Sequence, residues 1–398
     1  MSNNNRIESL DSLRGIASMI VVIFHCLIAF TVFEQANFNR FDNDFLKYFT
    51  ITPLHTLWAG REAVLLFFVL SGFVLAIPFF EGKTQSYGAY AIRRFCRIYI
   101  PYIVLMLVSA LLLTIFLEYK DIQGLSASYD NRWNHPVTLK AIGSYFLMEN
   151  YDTTNVNGVV WTLFHEMRIS LILPLFLLII RRFNFVSAAI LSLGLNVLVY
   201  LALDNWAAVL DEGRLLIMVK AVRWSMYYCT CFILGALLSK YRNKLPRLNT
   251  IYTAILVAVS LVLINCRWMV VVFQVKDQKI TDVITIAGIL LLFAAVLSSD
   301  RLNAFLSIKP LTWLGKISFS LYLVHIPVMM MITILLGKII PIEAAFILVP
   351  IVSLPVAHFT YKFVELPSNK LGRSIAKVID RNRNSSRKQA SGDIAESL

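Results

Sequence analysis

Arg14 and His25 stand eleven residues apart and bracket the run GIASMIVVIF, which is otherwise apolar. In a helix, eleven steps make three turns plus about 20° and advance about 16 Å. Both side chains therefore share one face. The arginine offers a fixed cation for an anion; alone it reads equally as an interface residue reaching for water. The histidine can take and return a proton near neutral pH, which suits deprotonating a hydroxyl or carrying an acyl group. The competing reading of His25 is structural, a hydrogen bond to a neighbouring helix. A second group is Glu166 in Trp161-Thr-Leu-Phe-His-Glu-Met-Arg168. A carboxylate there can orient an imidazole or hold a sugar hydroxyl, or it can close an ion pair with Arg168. A third is Ser318, Tyr322 and His325, spaced i, i+4 and i+7 on one helix face, either lining a cavity or bonding helices together. Arg93, Arg94 and Arg97 form a cluster that can grip phosphates or mark the cytoplasmic side of a span. Ser71 has no base beside it in sequence, and Ser71-Gly72 reads as a small-residue patch for close helix approach.

The elements that position these groups are membrane helices. The 398 residues are 58% hydrophobic and only 15% charged, with mean hydropathy +0.68. Soluble chains are usually about half apolar and about a quarter charged. Runs near twenty apolar residues predict ten spans, at about 14–33, 62–80, 99–117, 160–180, 183–203, 224–239, 248–265, 283–299, 315–337 and 343–361. This places His25 near mid-membrane, where an ionisable residue points to function. With the N-terminus inside, inner segments hold 23 Lys and Arg against 8 Asp and Glu, and outer segments 13 against 15. This positive-inside bias puts both termini in the cytoplasm. It accounts for the net charge of +13 without nucleic acid as a partner. The first apolar run lacks a cleavage pattern and reads as a retained span. The five cysteines are scattered, and no spacing supports a metal site. Walker, Rossmann and HExxH patterns are absent. The connections 34–61 and 118–159 mix Trp58, Tyr129, Trp133, Tyr145 and Tyr151 with polar residues, for sugar stacking or interface anchoring. Residues 370–398 form a basic, polar tail, expected to be disordered beside an anionic leaflet.

In order along the chain come Leu10-Asp-Ser-Leu-Arg-Gly15 with His25, Phe67-Phe-Val-Leu-Ser-Gly-Phe73 and Arg93-Arg-Phe-Cys-Arg97. Trp161-Thr-Leu-x-x-Glu166, Leu314-Gly-Lys-Ile-Ser-Phe-Ser-Leu-Tyr-Leu-Val-His325 and Tyr361-Lys-Phe-Val-Glu-Leu-Pro367 follow. Together they resemble the membrane acyltransferase-3 family, bacterial multi-span enzymes that O-acylate glycans and related acceptors. The resemblance implies ten spans, an acyl-CoA donor (usually acetyl-CoA) used from the cytoplasm, and Arg14 with His25 as the hallmark pair. Many members have an acidic residue directly before Leu-Phe-Phe, where this chain reads Ala63-Val-Leu-Leu66 and has Glu62 nearby. Some members add an extracellular hydrolase-like domain, which is not expected in these 398 residues.

The expected protein is an all-α polytopic bundle (residues 1–369) with a cytoplasmic tail, in a bacterial cytoplasmic membrane. It would move an acyl group from acyl-CoA to a hydroxyl of a cell-surface or exported carbohydrate, with no metal. Arg14, Arg93, Arg94 and Arg97 would hold the donor's phosphates. His25 would be the base, with Glu166 and His325 orienting it or the acceptor. The alternative function class is a non-enzymatic glycan transporter or flippase.

Overall fold

A computed structural model describes residues 3–82, 86–120, 122–275 and 277–396. Among them the chain is helical, with no strand. The bundle helices are α1 (Asn3–Ile28), α2 (Gly60–Phe80), α3 (Tyr87–Phe116), α4 (Trp161–Arg182), α5 (Phe185–Val209), α6 (Arg214–Tyr241), α7 (Thr250–Ile264), α8 (Gln278–Ser298), α9 (Lys309–Leu336) and α10 (Ile342–Thr360). A five-residue π turn, Tyr361–Glu365, leads into α11 (Leu366–Glu396).

Among the described residues, nine helices are long and apolar enough to cross a membrane, and α7, at 15 residues, is shorter. Helix direction bears on whether α7 also traverses the bundle. Gly15 of α1 lies against Gly315 of α9, and ten residues further along each helix His25 meets His325. The two helices therefore run parallel. If α7 did not traverse, α9 would have to run opposite to α1. Its pairing with α8 agrees with a full traverse. Leu248 N–H donates to the Ser298 carbonyl at 3.0 Å at one end, and Cys266 Sγ lies 3.3 Å from the Thr281 carbonyl at the other.

Helices that are apolar all round gain little from the hydrophobic effect against lipid, so they associate through small residues that let backbones approach. A Cβ at Gly15 or Gly315 would overlap the opposing backbone, as would one at Gly72 against Phe232 or at Gly235 against Val69. These contacts seat α1 on α9 and α2 on α6. The patch at Ser71-Gly72 thus performs the packing expected of it.

Three expectations are corrected. Helix α1 ends at Ile28, because Phe30 is extended (φ −93°, ψ 132°) and begins a new short helix. His25 consequently lies near the far end of its helix, not at the middle of a 14–33 span. Of the five aromatic residues singled out in the connections, Tyr151 alone stays exposed. Trp58, Tyr129, Trp133 and Tyr145 are fully buried in a cap over the end of the bundle away from Arg14. Tyr129 Oη bonds Thr333 Oγ1 at 2.7 Å, and Trp133 Nε1–H donates to the Val156 carbonyl at 3.2 Å. The segment from residue 370, expected to be disordered, continues as helix α11. Gly372 packs on Cys96, Ala376 is buried, and Asp380 accepts a bond from Ser86 N–H at 3.0 Å. That stripe is narrow, and its polar surroundings mask it in sequence.

Candidate active site

The parallel seating of α1 on α9 brings the two histidines together. His25 Nδ1 lies 3.2 Å from His325 Nε2 and 3.0 Å from the Val21 carbonyl. His325 Nδ1 lies 3.2 Å from the Leu321 carbonyl, which can only accept. Neutral His325 therefore carries its proton on Nδ1, and its Nε2 accepts. His25 must then carry its proton on Nδ1, donating to His325 and to Val21. This leaves the Nε2 lone pair of His25 without a hydrogen-bond partner among the described residues. His25 is half-buried, whereas His325 is buried.

His25 lines a cavity of about 590 Å³ at the end of the bundle away from Arg14. The start of α2 contributes Arg61 and Glu62, α4 contributes Trp161, α6 contributes Tyr228, and the α7–α8 connection contributes Arg267. Arg61 pairs with Asp282. Burial holds the Arg267 guanidinium below its ordinary pKa, although Glu62 beside it works the other way. Sequence reasoning did not single out Arg61, Asp282 or Arg267. The available signal was Asp282, an acidic residue at the head of the apolar run of α8.

Arg14 lies at the opposite end. Its Nε–H donates to Ser318 Oγ at 2.8 Å, its Nη2 to the Gly315 carbonyl at 3.0 Å, and Asp11 stands 3.3 Å away. A second, small cavity of about 60 Å³ is lined there by Arg14, Ser71, Arg97, Glu166 and Ser318. Ser71 Oγ–H donates to Glu166 at 3.3 Å. Glu166 thus shares a cavity with Arg14 and Arg97, and does not line the one that holds His25. His165, its sequence neighbour, bonds Ser225 at 2.9 Å instead. Arg93 Nε–H is turned back to the Ala89 carbonyl at 3.1 Å. Arg93 and Arg94 line neither of the two cavities.

Tyr322 and Val64 line both cavities and so form the wall between them. Tyr322 Oη donates to the Val159 carbonyl at 3.0 Å and lies 2.9 Å from Thr162 Oγ1. Its ring meets Phe67 edge-on at 5.7 Å between centroids. Ser318, Tyr322 and His325 therefore do share one face, and that face addresses Arg14, the wall and His25 in turn. Among the described residues, no three or more His, Cys, Asp or Glu side chains are grouped to hold a metal ion.

Residues 7–360 match the acyltransferase-3 family, an acyltransferase domain. The peptidoglycan O-acetyltransferase OatA of Listeria monocytogenes is 22% identical over 393 residues, covering 92% of this chain and 56% of that protein. The chain thus spans about half the length of this curated relative. No solved structure matches it. With a family match over nearly its whole length, the chain belongs to the acyltransferase-3 family.

Proposed function

We propose that the protein transfers an acyl group, acetyl in the simplest case, from acyl-CoA to a hydroxyl of a cell-envelope or exported carbohydrate. The membrane would be the bacterial cytoplasmic one, with Arg14 at the cytoplasmic end and the His25 cavity open to the other side. The observation that carries this reading is the state of His25. Its Nδ1 is committed to His325 and Val21, and its Nε2 has no partner among the described residues, in a cavity wide enough for a sugar ring.

In this reading Arg14 and Arg97 hold the donor's phosphates at one end, with Arg93 and Arg94 adding positive field nearby. Glu166 and Ser71 share that end and act on the donor side. The acyl end travels the roughly 16 Å from Arg14 to His25, passing Tyr322. The acceptor enters the large cavity, and His25 Nε2 takes the proton of its hydroxyl as the oxygen attacks the thioester carbonyl. The C–S bond breaks, the sulfur leaves as thiolate, and His25 returns the proton to it. His325 accepts from Nδ1–H throughout and stabilises the transient imidazolium. The glycan named for the Listeria relative supports a carbohydrate acceptor for this chain.

The test is acyl transfer in membranes containing the protein, with radiolabelled acetyl-CoA supplied at the cytoplasmic face and glycan as acceptor at the other. Label should appear on the glycan as thiol is released in equal amount. Thiol-independent label, or glycan movement without thiol release, would overturn the reading.

A further inference from the structure

The His25 cavity carries two ionic networks, and they differ in how fully their hydrogen-bonding groups are used. Arg61 pairs with Asp282, whose second oxygen accepts from Tyr227 Oη at 2.5 Å. Both oxygens of that carboxylate have donors. The carboxylate of the other network is less well served. Glu62, on the first turn of α2, is 8% exposed, and its Oε2 has no hydrogen bond among the described residues. Its neighbours stand off: Arg267 Nε lies 3.8 Å from one carboxylate oxygen and His55 Nε2 lies 3.8 Å from the other. Both distances exceed a hydrogen bond. Arg267 is fixed by other means, through two bonds of 2.8 Å from its terminal nitrogens to the carbonyl and side-chain oxygens of Asn37. Its Nε–H also has no hydrogen bond among the described residues.

A buried carboxylate oxygen without a donor is costly. A diol answers both needs once the two side chains, whose unbonded atoms are shut off as they stand, turn to it: one O–H donates to Glu62 and the neighbouring oxygen accepts from Arg267 Nε–H. Glu62, Arg267 and His25 all line the same cavity, with the rings of Trp161 and Tyr228 beside them as stacking surfaces. The ionic side chains are balanced, Arg61 by Asp282 and Arg267 by Glu62. A phosphate or carboxylate on the bound ring would have to face Glu62 without a surplus cation.

Resting on the acyl-transfer reading for what becomes of the bound molecule, we infer that Glu62 and Arg267 form an acceptor subsite. It binds neighbouring hydroxyls of an uncharged sugar ring and turns another hydroxyl toward His25 Nε2. Glu62 thus sets acceptor specificity and does not touch the donor.

The experiment is calorimetric titration of the full-length protein in lipid nanodiscs, without any acyl donor. The probes are maltose, di-N-acetylchitobiose and a disaccharide containing a uronic acid. Wild-type protein should bind at least one neutral disaccharide, and the uronic-acid probe more weakly. Glu62→Gln should lose about ten- to a hundredfold in affinity, with Glu62→Asp recovering part of it. Should Glu62→Gln fail to fold, Arg267→Gln is the second variant and should lose affinity in the same way. In turnover, the acceptor KM should rise while the donor KM stays put. Wild-type affinity in a folded Glu62→Gln protein, preference for the charged sugar, or no sugar binding by the wild type would each overturn the subsite. Failure of the acyl-transfer reading looks different: neutral sugar binds through Glu62, yet no acyl group moves.

Discussion

His325 Nε2 accepts from His25 Nδ1–H across 3.2 Å, and the pair forms because Gly15 and Gly315 touch ten residues earlier on the same two parallel helices. The spacing from glycine to histidine is identical on both. The register of the histidines is therefore set by a backbone contact remote from the chemistry. A close approach at one level fixes which residues meet about 15 Å further along.

His325→Phe removes the acceptor for His25 Nδ1–H and leaves the ring free to turn. Loss of such a supporting partner commonly costs about 10- to 100-fold. The fall is expected in kcat, with both KM values near wild type and the pH–rate profile displaced. His325→Gln, which keeps an acceptor, should recover part of the rate. A kcat unchanged in His325→Phe would remove His325 from the mechanism.

Gly315→Leu drives a side chain into the backbone of α1 at Asp11. Overpacking of this kind costs about 1–3 kcal/mol. The thermal midpoint in detergent should fall, and activity should fall further than the lost stability explains, because the histidines lose register. Gly143→Ala is the control, since a Cβ there meets nothing within 4 Å; it should keep both properties.

Arg14 already spends Nε and Nη2 on α9. Arg14→Ala should therefore show two effects, a raised acyl-CoA KM and a lower thermal midpoint. Glu166→Gln should alter donor kinetics alone, because Glu166 shares the small cavity with Arg14 and not the large one with His25. An unchanged donor KM in Arg14→Ala would remove it from the donor site. An acceptor-side effect of Glu166→Gln would contradict the division between the cavities.

Tyr322→Phe keeps the ring in the wall and deletes its bonds to Val159 and Thr162. A looser wall should let the acyl end and water meet more often. Thiol release without acceptor should rise several-fold relative to transfer. Thiol release that stays at the wild-type level would show that the hydroxyl does not secure the wall.

Much of this architecture was legible in the sequence. Apolar run length located the bundle helices, and helical periodicity put Ser318, Tyr322 and His325 on one face. The equal spacings from Gly15 to His25 and from Gly315 to His325 gain meaning only once the structure sets the two glycines against each other. What periodicity could not supply was which helix lies beside which. Glu166 was grouped with His25 because both are polar and intramembrane, and only the position of Tyr322 separates them. The pair of Arg61 and Asp282 is 221 residues apart in sequence, and no local pattern links such residues. Four aromatic residues of the connections, Trp58, Tyr129, Trp133 and Tyr145, escape sequence reasoning for a similar reason. Their composition fits an exposed surface, but the chain folds back and buries them in a cap.

The most direct test of the account is the turnover of His25→Ala in purified, reconstituted protein, with acetyl-CoA as donor and glycan as acceptor. Thermal unfolding of the same preparation shows whether the variant is folded. The account predicts a folded protein that still binds acetyl-CoA near the wild-type level but transfers acetyl at least about a hundredfold more slowly, the scale of a positioned general base. A folded His25→Ala protein that acetylates glycan at the wild-type rate would contradict it.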